Sequence, residues 1–507
     1  MIIPFIDYTQ SANTNLNPLL YQPNQPVELN GVTNAWKVGS LVKDVGYERV
    51  STQLQSGKNI GGLFHFIQEP GTEKVLVTVD DATSDDTQLF YKTPAGAWTE
   101  VAAAETQWAN YAGINVEMES FIKYAFIVGY GATDGYLPVG TLNGTTFGYV
   151  GDGSETNISD GSSTANVTMP KAKYIKRYRD RLYLANCNTG SAEPYRVYYS
   201  SVPSAGAISW NRTTQFFDVD YSDEITGMIE NWDRLLIFTK FKTYMYDQSQ
   251  RKKLWDYGCA NHRTIKNSGP YTIWCGYDGV WMSTGGQPQN ISGPVVDFIR
   301  NGNPENFFAE VVDETYYLYV GNVTVDETIY ANCVLTFDIP ISSWKWRELY
   351  NTMTIFGKYL VSGQQRLYMG SSTGEVWNKG KHTDSTILSE DAIISGVGQP
   401  IGANFTLAPI NLTDFANWKR AKQVISYAER AQGLQLQMRV LDKNSRALTP
   451  FKPVGQLKDF INKFDINVNK GVLIQFAGSE YSRNPYFEFH GFALDVELDG
   501  RTPNTRK

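Results

Sequence analysis

The chain has 507 residues, a formal net charge of −7, 19% charged residues and 13% aromatic residues. Low charge combined with this much aromatic bulk excludes an intrinsically disordered chain, and the acidic balance excludes a tight, nonspecific nucleic-acid binder with a basic face. No stretch approaches the ~18 apolar residues that a membrane-spanning helix needs, and Met1–Asp7 lacks the basic segment and apolar length of a secretory leader.

Residues 1–46 read as an extended arm. Asn13, Asn15, Pro18, Pro23, Asn24, Pro26, Asn30 and Asn34 leave no room for a helix, and the prolines argue against a central strand. From about residue 47 a phrase repeats: a tight turn, an aromatic-rich strand, a second turn, another aromatic-rich strand. Its clearest copies are Asp180–Ala185 (DRLYLA) and Asp233–Phe238 (DRLLIF), with looser ones at Asp278–Ser283 and Gln365–Gly370. Successive units lie roughly 40–60 residues apart, the period of four-stranded blades stacked around an axis.

Seven units are read in this way: 73–101, a second opening at 121, then 172–219, 225–258, 271–299, 308–349 and 354–378. The expectation is an all-β β-propeller over 47–385 with about seven blades, six or eight being the alternatives. Trp98, Trp210, Trp255, Trp344 and Trp346 fall late in their units, where an outer strand needs a large packing residue. The Ser/Gly/Asn/Asp-rich stretch 151–168 reads as a solvated loop insertion projecting from one face. Past 385 the rhythm changes. Residues 406–412, 420–427, 434–441, 471–477 and 486–498 look like alternating strands, with Leu434, Leu436, Met438 and Val440 sharing one face. They predict a C-terminal antiparallel β-sandwich-like domain over 386–507.

Motifs for chemistry are sparse. Gly370-Ser371-Ser372-Thr373-Gly374 matches the pattern of a hydrolase nucleophile elbow, but it joins two strands where that chemistry needs a strand-to-helix turn, so it reads as a polar hairpin. Gly129–Gly135 resembles a dinucleotide loop without a following helix and reads as a turn. His65, His262, His382 and His490 lack metal-ligand spacing, and Cys187, Cys259, Cys275 and Cys333 are too scattered for a disulfide framework and read as small buried residues. Asp80-Asp81 with Asp85-Asp86 is a weak pair of catalytic carboxylates, since nothing fixes their separation. Asp218, Asp220 and Asp223 gather oxygen ligands on one loop, a weak cation candidate without the glycine and distal glutamate of an EF-hand. No catalytic residue and no cofactor are expected. Two basic clusters, Lys173-Lys176-Arg177-Arg179-Arg181 and Arg251-Lys252-Lys253, are candidate subunit or DNA contacts, with local salt pairing as the plainer reading.

The stretch Lys176–Asp247 carries a resemblance. RYRDRLYLAN, VYYSS, an Ile-Ser-Trp segment, FFDVD followed by DEITGM, and DRLLIFTKFKTYMYD together resemble the propeller of tail nozzle and packaged-DNA stabilisation proteins of short-tailed phages. The resemblance implies a structural virion protein without catalytic residues. In that family six copies form a ring below the portal and adaptor that retains packaged duplex DNA and conducts it during ejection. It also implies other tail proteins as partners, a place in the phage tail and no membrane insertion by this chain. Two other readings stay open: a carbohydrate- or receptor-binding propeller of the tail that uses exposed aromatic rings, and a propeller-type polysaccharide hydrolase or lyase.

Overall fold

The computed structural model describes residues 2–499 except 14–23, 35–38, 51, 70–71, 95, 150–168, 205–207, 362, 383–389, 395–396, 412–417, 432, 442–446, 469–472 and 483–486. Among the described residues, seven antiparallel sheets follow one another along the chain, each opening on one strand: Ile60–Ile67, Asn115–Phe121, Lys171–Tyr178, Ile225–Asn231, Lys266–Ser268, Phe308–Val312 and Met353–Val361. These first strands stand side by side around an axis, and Met353–Val361 packs back against Ile60–Ile67. The chain is therefore a seven-bladed β-propeller. The expected loop insertion at 151–168 lies outside the described residues.

Burial peaks at the second strand of a blade and falls toward the rim, and this explains the sequence pattern. The second strand of a blade is sandwiched between neighbouring blades, so Glu73–Asp80 and Arg181–Asn188 are buried almost end to end and read as continuous apolar runs. A fourth strand faces water: Arg251–Trp255 carries three exposed cations and then the buried Trp255. Trp210, Trp344 and Trp346 are likewise buried, while Trp98 is half-buried and donates to the Val50 carbonyl. Trp255 stacks on Trp274 of the next blade at 5.8 Å between ring centroids. All four cysteines are buried and unpaired.

The ring is closed by a segment that precedes it in the chain. Tyr47–Arg49 forms the fourth strand of blade 7, antiparallel to Val376–Lys379. The Tyr47 ring meets Trp377 edge-on, and its hydroxyl accepts from the backbone N–H groups of Tyr350 and Asn351. On its other side the strand runs beside Glu390–Ile394, and Gly46 makes that approach possible, because a Cβ there would lie 1.7 Å from the Glu390 carbonyl oxygen. Asp44 receives Lys379 Nζ and Arg347 Nη1, each at 3.1 Å, while the other end of the Arg347 guanidinium pairs with Asp391. Burial pushes the Asp44 carboxyl up, but Lys379 and Arg347 outweigh it and hold the group far below the usual carboxylate range.

The arm corrects one sequence expectation. Pro26–Asn30 is a central strand, running between blade 6's outer strand Ser343–Glu348 and Ala403–Leu407. Pro26 is tolerated because it is the first residue of the strand, where no ladder N–H is required. Through this strand the blade 6 sheet continues into Leu473–Glu480, Gln435–Leu441 and Lys452–Gln456. A second sheet built from Ile2–Ile6, Glu488–Asp499, Trp418–Glu429 and Phe460–Val468 shares a core with this extension: Phe405 packs on Phe489 at 5.0 Å and Phe476 on Phe492 at 4.8 Å. The C-terminal part is thus sandwich-like, with the arm woven into it. Buried Lys43 of the arm pairs with buried Glu480 and donates to the Ser482 carbonyl.

Candidate functional site

The first strands enclose an axial cavity of about 390 Å³. Its wall is charged, and most of its charges are paired within it. Lys176 pairs with Glu119 at 2.6 Å, Lys266 with Glu310 at 3.0 Å, and His65 sits 3.5 Å from Glu73. Burial acts to lower the Lys176 pKa, yet Glu119 outweighs it and leaves the ammonium above its ordinary value.

One side chain shuts this cavity. The short 3-10 turn His262–Thr264 enters from blade 5, and Arg263 reaches across the axis. Its guanidinium donates to the Gly61 carbonyl of blade 1 and, at 3.4 Å, to the Thr354 carbonyl of blade 7, and it lies 3.9 Å from Glu117 of blade 2. Beside it, His262 Nδ1 accepts from the Met228 N–H, and Nε2 lies 3.2 Å from the Glu117 carboxylate. Burial acts to raise Glu117, but His262, Arg263 and Lys266 hold it down to about 2. Gly227 admits the turn: a Cβ there would stand 2.5 Å from Ile265 Cδ1 and 2.7 Å from His262 Nδ1.

Outside this crossbar, at the mouth of the axis, lies a second cavity of about 300 Å³ built by blades 2 to 6. Glu224 pairs with Lys240 at 3.0 Å, and the Tyr277 hydroxyl donates to Glu305 at 2.8 Å. Lys173 projects over the Tyr130 ring at 4.1 Å, with burial lowering its pKa. Tyr277 meets the exposed Phe241 ring at 6.1 Å, forming an aromatic rim. A larger hollow of about 860 Å³ lies on the other side of the ring, near blades 6 and 7, and three of its four lysines are engaged: Lys379 by Asp44, Lys381 by Asp313 and Lys345 by the Thr33 hydroxyl.

The sequence-predicted residues are dispersed. Successive side chains of a strand point to opposite faces, so the first basic cluster is divided. Lys173 lines the mouth and Lys176 the axial cavity. Arg177 is exposed with its guanidinium 5.7 Å from the Phe121 ring, Arg179 pairs with Asp233 at 2.7 Å, and Arg181 donates to the Ser200 carbonyl at 2.7 Å. Arg251, Lys252 and Lys253 lie exposed on the outer strand of blade 4, Lys253 pairing with Asp256. The acidic loop is divided in the same way. Asp218 is held by Arg196 and Asp220 by Lys242 and Tyr244, while Asp223 accepts from the Phe241 N–H, so the three carboxylates serve separate partners. Ser371 is buried and bonded within its own hairpin to the Glu375 N–H, as the polar-hairpin reading expects.

Two ligand groupings form in the fold: one joins Asp81 and Asp86 of the acidic pair singled out in the sequence to Glu105, which the sequence did not point to, and the other joins His490 to two glutamates. Asp81, Asp86 and Glu105 bring ligand atoms within 4.8 Å of one another, as do Glu429, Glu488 and His490. In the first, Ser84 Oγ lies 2.6 Å from both Asp81 and Asp86 and occupies the space between them. In the second, Ser40 Oγ is 2.8 Å from His490 Nδ1. The mouth cavity was also missed, apart from Lys173, because its members come from five blades with no local signature.

No protein-family model matches the chain, and no curated protein sequence matches it significantly. Solved structures with a similar course include an exo-β-1,3-galactanase from Phanerochaete chrysosporium, at 8% identity over 90% of this chain and 100% of that one, with a TM-score of 0.28. The WD40 domain of Pan2 from Neurospora crassa gives 8% identity, 69% and 98% coverage and a TM-score of 0.39. The CNH domain of AfRom2 gives 10% identity, 68% and 100% coverage and a TM-score of 0.33. The propeller assignment rests on the sheet topology of the chain itself.

Proposed function

We propose that the chain is a structural subunit of a short-tailed phage tail: a nozzle that assembles with copies of itself, six in the family it resembles, into a ring continuing the portal and adaptor channel. In this role it retains packaged DNA and conducts it at ejection. The resembling stretch Lys176–Asp247 supports the family, since it spans most of blades 3 and 4. The observation that carries the ring is the Arg263 crossbar. It leaves a duplex no route along the axis of one propeller, so a conduit requires a wider opening between copies. The acidic balance of the chain suits a lumen past which phosphate must slide without sticking.

The test is cryo-electron microscopy of the purified protein, alone and mixed with its adaptor. The expected result is a closed ring with a pore that clears duplex DNA; monomers alone in both preparations refute the reading. A receptor-binding role for the same tail component has one observation in its favour, the polar cavity at the mouth of the axis.

A further inference from the structure

The mouth cavity has the composition of a ligand site that its own side chains do not complete. Thr226, on the first strand of blade 4, is only 5% exposed and lines the cavity, yet its hydroxyl has no hydrogen-bond partner. A buried hydroxyl left in this state is costly unless a ligand or water satisfies it. Lys173 adds a second incomplete group. Its ammonium is partly desolvated and lies over the Tyr130 ring, and among the described residues it makes no ion pair or hydrogen bond. The carboxylates of the same wall are already engaged: Glu224 by Lys240, Glu305 by the Tyr277 hydroxyl, and Glu117 by His262 and Arg263. Lys173 is therefore the charge in this wall that lacks a counter-ion of its own.

From these groups we infer that the mouth of the propeller axis binds an acidic sugar, a pyranose bearing a carboxylate. The sugar carboxylate pairs with Lys173. Ring hydroxyls bond to Thr226 Oγ1 and donate to the remaining carboxylate oxygens of Glu224 and Glu305, which accept hydrogen bonds but offer none. The Tyr277 and Phe241 rings at the rim supply the apolar surface on which the C–H face of a pyranose rests. At about 300 Å³ the cavity stands at the lower end of the range for small-ligand sites, enough for a single sugar unit. Arg263 forms the floor, so the ligand docks at the mouth and does not thread the axis. This inference stands on the cavity alone and does not depend on the ring.

The experiment uses the full chain and a matched pair of probes, glucuronate and glucose, which share a ring and differ at the carboxylate. Saturation-transfer NMR titration is expected to show saturable glucuronate binding, with glucose weaker by about tenfold. Lys173→Met is expected to erase that preference, and the near-isosteric Thr226→Val to weaken both sugars by about threefold. Glu305→Gln, on the opposite wall, serves as a further variant should Lys173→Met fail to fold, and is expected to weaken both sugars. Equal binding of the two sugars, no glucuronate binding, a preference that survives Lys173→Met, or competition by acetate as strong as that by glucuronate each overturns the inference.

Discussion

Replacing Arg263 by Met tests whether the axial crossbar holds the ring together. The substitution keeps an unbranched side chain of similar length but removes the guanidinium. The Gly61 and Thr354 carbonyls, on the two blades that meet at ring closure, lose their donor, and Glu117 keeps only His262 and the more distant Lys266. Losing one side of a buried pair costs about 3–5 kcal/mol; here two carbonyls lose their donor and Glu117 is left only partly compensated. For a propeller of roughly 330 residues the entropy of unfolding is about 0.7 kcal/mol per kelvin, so Tm falls by about 4–7 °C. Differential scanning calorimetry reads this directly. The double variant Arg263→Met/Glu117→Gln removes the stranded charge and is expected to be more stable than Arg263→Met alone. A Tm loss under about 1 °C, or losses that simply add in the double variant, refutes the reasoning.

Three further outcomes follow from the same geometry. Gly227→Ala drives a methyl group into Ile265 and His262 and is expected to cost about 1–3 kcal/mol, read from urea denaturation midpoints. Tyr47→Phe removes the hydroxyl that receives two backbone N–H groups and donates to Asn351, and is expected to cost about 1–3 kcal/mol by the same measurement. His382 is pushed down to about 4, first by burial and then by Lys379 and Lys345 against the pull of Asp44. Because its folded pKa lies below its unfolded value, its contribution is complete above pH 6.5 and disappears as pH falls toward 4. Wild type is therefore expected to lose about 2 kcal/mol more than His382→Gln between pH 7 and pH 4, the full shift being discounted for partial exposure. Parallel stability curves for the two proteins would contradict this.

The recurring Asp-Arg-Leu phrase was legible because it has a local cause. Asp180 and Asp233 sit in the hairpins between the first and second strands of blades 3 and 4, where Trp232 and Asp233 both adopt positive φ, and the strand that follows is buried on both faces. Blades lacking that phrase were read only in part. Ile60–Ile67 interrupts its apolar residues with Gly61, Gly62 and His65, and Lys266–Ser268 is a three-residue strand of polar side chains. The closing strand Tyr47–Arg49 and the central strand Pro26–Asn30 pair with residues more than 300 positions away, and no local pattern announces such a partner. The mouth cavity was hidden for the same reason: Lys173 stood out as one of a basic run, whereas Thr226 and Tyr277 are ordinary strand and turn residues until the ring brings them together.

The closing strand also dictates an order of events during synthesis. Tyr47–Arg49 leaves the ribosome early but docks on Val376–Lys379, and at about 5–20 residues per second its partner emerges roughly 15–70 seconds later. Throughout that interval Tyr47–Arg49 lacks the strand it pairs with, and an unpaired strand edge is exposed to pairing with a neighbouring chain. Pairing of the closing strand is thus a late event, and a truncated product ending before residue 376 lacks it.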